Sequence, residues 1–97
     1  MQIGRVIGTV VSTRKVESIE GLKLLVVAQV DIHNQEKPSY VVAVDSVQAG
    51  VGDLVLYASG SAARQTDITL NKPADAIVMA VIDSWDIGGQ VIYSAGK

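Results

Sequence analysis

Side chains able to do chemistry are few and scattered in this chain. His33 is the only histidine, and it lies in the polar stretch HNQEKP, where a solvated loop residue is expected rather than a general base. Zinc needs several nitrogen or sulfur ligands, which one His and no Cys cannot supply within a single chain. Asp45, Asp53, Asp67, Asp75, Asp83 and Asp86 lack the dense spacing of a calcium loop, so strand ends and caps are their expected places. Ser59-Gly60-Ser61 precedes a short helical pattern and offers backbone N–H groups to an anion. No phosphate-loop lysine follows, however, and no histidine lies nearby to activate a serine, so Ser61 is expected to cap a helical turn through Ala62, Ala63 and Arg64. Arg64 is a rigid five-donor fork suited to clamping carbonyls or a carboxylate across an interface. Trp85, Tyr40, Tyr57 and Tyr93 have rings able to stack on bases, but they are not interleaved with basic residues as a groove for single strands requires, and packing or interface roles suit them better. These residues call for no catalytic site, cofactor or metal.

The elements around them are read from composition and pattern. With 97 residues, 48% of them apolar and 19% charged, the chain is expected to fold as a single domain spanning 1–97. Sixteen Val and nine Ile against no Phe and four aromatics favour strands over helices. A net charge of -2 provides no field for a polyanion or an acidic membrane surface, and the absence of Cys is compatible with the cytosol. Gly4, Arg5 and Gly8 interrupt the apolar N-terminus, which reads as neither a signal peptide nor a membrane span.

Residues 2–13 form the first expected strand, with Gly4 and Gly8 on one face that a neighbour can approach closely. Residues 22–32 form the second, HNQEKPS is a turn ending at Pro38, and YVVAVD returns as the third. Gly50, Gly52 and Asp53 build a tight connection, the glycines free to take positive φ and Asp53 able to bond nearby backbone. Strands are then expected at 54–58 and 77–85, with a closing strand QVIYS after the turn at Gly88-Gly89. A second helical turn is expected at 71–76, with Pro73 at its first position. About six strands and two short helices describe a small β-barrel. Its strands carry unbroken apolar runs at 24–28, 41–44, 54–58 and 77–82, so their outward faces need cover from the short helices, the tail or another copy of the chain.

IGRVIGTVVSTRK at the start, VAVDSVQAGVGDLVLYASGSAAR in the middle, and PADAIVMAVID followed by GGQVIY together resemble the EutN/CcmL family of microcompartment shell vertex proteins. The spacing from Ala49-Gly50 through Gly52-Asp53 to Gly60-Ser61-Ala62-Ala63-Arg64 is the most specific part, with Ala62 where the family often has Ser. What the resemblance implies is a mainly all-β, OB-like closed barrel with one or two short helices, assembled as a cyclic pentamer. It implies a structural role, capping five-fold vertices of a polyhedral shell in the bacterial cytoplasm, with no enzymatic activity. Hexameric shell proteins and the encapsulated enzymes are the implied partners, and the stretch Gly60 to Arg64 is implied to help form subunit or shell contacts. The rival expectation is a small OB-type module for a ligand or nucleic acid, a common use of such barrels.

Overall fold

A computed structural model describes residues 1–60 and 75–96 of the chain. Seven strands occur among these: β1 (Gln2–Val10), β2 (Leu24–Val30), β3 (Glu36–Asp45), β4 (Leu54–Ser59), β5 (Ala76–Val81), β6 (Ser84–Ile87) and β7 (Gln90–Ser94). The first five close into a barrel in the order β1-β2-β3-β5-β4. Closure comes from β1 pairing antiparallel with β4, Gln2 opposite Tyr57 through Arg5 opposite Leu54. The β3–β5 seam is the weakest, a parallel pairing of Val44 with Ile77 and Asp45 with Val78 only.

Alternation in the strands sends Val6, Leu25, Val27, Ala43, Val55, Tyr57 and Val78 into the core, each 1% exposed or less. A second cluster of Val44, Ala58 and Ile77, with Leu22 and Leu24 packed against it, uses the opposite face of the same strands. Part of the outward apolar surplus is therefore buried within the protomer. The rest is not, since Ile7, Tyr40, Val42, Met79 and Val81 stay exposed.

Four expectations are corrected. The register of β1 on β2 slips between Val6 and Gly8, and this bulge puts Gly8 opposite half-exposed Val26 while Gly4 faces the core. The two glycines thus lie on different faces, and only Gly4 is closely approached: a Cβ there would overlap Val27 Cγ1 and stand 2.8 Å from Tyr57 Cε1. Pro38 does not end a turn but lies inside β3, where the pairing jumps from Ala28–Tyr40 to Val30–Glu36 and no ladder N–H is required of it. The expected strand 77–85 breaks at Ile82-Asp83, after Ile82 N–H donates to Leu54 O at 2.8 Å. QVIYS, the expected closing strand, pairs among the described residues only with β6 and lies outside the barrel.

Among the described residues the helical segment is a 3₁₀ turn at Glu17–Ile19. The helical turn expected at 62–64 lies outside the described residues. Of the one expected at 71–76, Ala76 already belongs to β5.

Candidate functional site

The loop joining β3 to β4 is organised by the two aspartates that flank it. Asp45 ends β3 with its side chain 1% exposed, and its Oδ1 accepts the N–H groups of Val47 (3.1 Å) and Ala49 (3.2 Å). Its Oδ2 lies 3.2 Å from Lys23 Nζ, which also donates to Ala49 O at 3.2 Å. Ser46 Oγ donates to Val78 O at 2.6 Å, which ties the start of the loop to β5. These contacts turn the chain tightly enough that Gln48 takes a φ of 60° and Ala49 becomes fully buried.

At the other end Asp53 Oδ2 accepts Gly50 N–H at 2.8 Å, while Asp53 N–H donates to Gly50 O at 3.0 Å. Gly52 has a φ of 98°, a region that side chains avoid, whereas Gly50 does not have positive φ and differs from expectation in this. Gly52 N–H donates to Val6 O (2.8 Å) and Val6 N–H to Asp53 O (2.9 Å), so the loop is stitched to β1. Asp45 had a sequence signal as a strand-end acid, but its partner Lys23 had none, because the two are 22 positions apart.

Gly60 follows β4 with a φ of 64°, and its N–H donates to Asp75 O at 2.8 Å. Ser59 pairs with Ala76 at the same point. Ser61, Ala62, Ala63 and Arg64 lie outside the described residues.

His33 sits in the β2–β3 turn, and its N–H, at 2.9 Å, and that of Gln35, at 3.0 Å, donate to Asp31 Oδ1. Chiefly through the Gln35 bond, the Asp31 carboxyl is held below its ordinary 3.8. This is turn chemistry, and no group of three or more His, Asp or Glu able to hold a metal occurs among the described residues. Of the aromatics, Tyr57 is in the core, where burial pushes its phenol above the ordinary 10.0. Trp85 and Tyr93 stack with ring centres 5.3 Å apart, leaving Tyr40, 60% exposed, as a lone surface ring. On the outside of the barrel a groove of about 190 Å³ is lined by Ile19, Leu22, Leu24, Val42 and Val44 with Asp75 and Ala76. Its chemistry is apolar contact, not bond making.

Comparison with known proteins gives the same picture. The family model described as ethanolamine utilisation protein EutN/carboxysome matches residues 1–83. The carboxysome shell vertex protein CcmL of Gloeobacter violaceus is 45% identical over 94 residues, which cover 97% of this chain and 94% of that protein. Its solved structure superposes with a TM-score of 0.95 at 43% identity over the whole of both chains. The GrpN pentameric microcompartment shell protein of Rhodospirillum rubrum superposes with a TM-score of 0.81 at 44% identity, over 90% of this chain and all of that one.

Proposed function

The chain belongs to the EutN/CcmL family, and from that premise we propose that it is a shell protein of a bacterial microcompartment, five copies of which form a disk at a five-fold vertex. It is a structural protein and not an enzyme. The observation that carries this reading is the full-length superposition on a carboxysome vertex protein by a barrel whose centre is filled with its own side chains. With Val6, Leu25, Val27, Val55, Tyr57 and Val78 packed inside, the surfaces left for function are the outer ones. There Ile7, Tyr40, Val42, Met79 and Val81 supply apolar area for contacts between copies.

Hexameric shell proteins are the partners at the edges of the disk. A layer tiled by hexagons lies flat or rolls into a tube, and pentagons at the corners allow it to close. Many weak edge contacts around one vertex act together, so a minor component decides closure. Gly60 to Arg64 contribute to these subunit or shell contacts, with the Arg64 guanidinium as a planar hydrogen-bonding fork. An OB-type nucleic-acid module is not favoured, because Trp85 and Tyr93 spend their faces on each other.

Native mass spectrometry at micromolar concentration should find five chains. Co-expression of hexameric shell proteins with this chain should yield closed polyhedra by electron microscopy, and omission should leave open corners, sheets or tubes. Equally closed shells without the chain, or a strictly monomeric protein, would refute the proposal.

A further inference from the structure

The C-terminal hairpin is an element that the barrel does not use. Among the described residues β6 and β7 pair only with each other, and they begin at Ser84, just past the stretch 1–83 matched by the family model. The pentameric relative is covered completely by 90% of this chain, so its ring closes with fewer residues than are present here. A two-stranded hairpin is at best marginally stable in water without a surface to lie on.

One end of this hairpin is fastened. Trp85 stacks on Tyr93, and its Nε1–H donates to Ile32 O at 2.9 Å in the β2–β3 turn. That turn is itself tied to β1 by Arg5 Nη2, which donates to Asn34 Oδ1 at 3.0 Å. The other end is the Gly88-Gly89 turn, where φ values of 58° and 88° match the type I′ geometry of a two-residue hairpin loop. Beside it Ile87 and Val91 are 37% and 63% exposed, Asp86 adds a negative charge, and no Lys or Arg occurs between 83 and 96. The element is an arm held at its root and apolar at its tip.

We infer that this hairpin is a strap, which each copy lays against the neighbouring copy in the ring so that Ile87 and Val91 are buried there. The inference rests on the pentameric reading above. A second copy is the occupant because a head-to-tail ring joins two different surfaces of the same chain and holds a neighbour at fixed distance from every arm. The chain also carries an apolar surface of matching chemistry: a second groove is lined by Val10, Val11, Leu22 and Leu24.

The test uses the full chain and the double variant Ile87→Glu/Val91→Glu, in sedimentation velocity over a dilution series. Both side chains are exposed in the protomer, so circular dichroism should be unchanged while the concentration for half-assembly rises about tenfold or more. A full chain that is not a pentamer overturns the functional reading and the strap with it. A pentameric full chain with a double variant that assembles equally well overturns the strap alone. Should the double variant aggregate, Val91→Cys provides the second measurement, since the chain has no other Cys. Labelled with a thiol-reactive benzophenone and irradiated, it should crosslink one copy to the next, and crosslinks confined within single copies would overturn the strap.

Discussion

Truncating Asp45 to alanine should destabilise the protein by about 3 kcal/mol, and nearly all of that comes from backbone contacts rather than from the ion pair. A hydrogen bond to a charged acceptor contributes about 1.5–3 kcal/mol, and a buried N–H left without a partner costs about 1–3 kcal/mol. Asp45 Oδ1 holds two such N–H groups, of which that of Ala49 is buried and that of Val47 partly so. Lys23, by contrast, has a side chain 55% exposed, and water replaces most of what the carboxylate provides, so this pair is worth less than about 1 kcal/mol. Asp45→Asn retains a carbonyl oxygen for both N–H groups and should lose only about 1 kcal/mol, as should Lys23→Met. Thermal unfolding at one fixed protein concentration is the assay, because assembly makes the midpoint depend on concentration. For a chain of this length each kcal/mol moves Tm by about 4–8 °C, so the alanine variant should fall by roughly 12–24 °C and the asparagine variant by roughly 4–8 °C. Equal losses for the two variants would show that the charge, not the acceptor geometry, holds the loop.

Gly4→Ala should cost about 3 kcal/mol in urea unfolding, because its Cβ has no room between Val27 and Tyr57, whereas Gly8→Ala should stay within about 0.5 kcal/mol with Val26 Cβ 3.9 Å away. Tyr57 has a folded-state pKa above that of the unfolded chain, so its contribution is whole below pH 10.0 and is lost as pH rises through the folded value; Tyr57→Phe should flatten the alkaline decline of Tm. Arg64→Glu should leave strand content intact by circular dichroism while weakening pentamer formation or docking to hexamers, since a carboxylate cannot donate the hydrogen bonds of the fork. Fluorescence anisotropy at low salt should detect no sub-micromolar binding of single-stranded DNA or RNA by a chain of net charge -2.

Local chemistry was legible in the residues themselves. Runs such as LLVVA and VVAV read as strands because β-branched side chains suit a pleated surface, and both lie within strands. Gly88-Gly89 read as a turn and Asp53 as a backbone acceptor because each depends on neighbours within a few positions, and both do so here. The spacing from Gly50 through Gly52-Asp53 to Arg64 pointed to the family, which the match over residues 1–83 bears out. What the pattern left open was decided by partners distant in sequence. The bulge beyond Val6 that parts Gly4 from Gly8 exists only through pairing with β2, and a slip of one residue reverses every side chain after it. Lys23 meets Asp45 because β2 and β3 lie side by side, and QVIYS leaves the barrel because β1 and β4 have already closed it. A strand's sequence records that it will pair and which face is apolar. Its partner is chosen by the competition of all strands for the same edges, and that is settled only when the barrel closes.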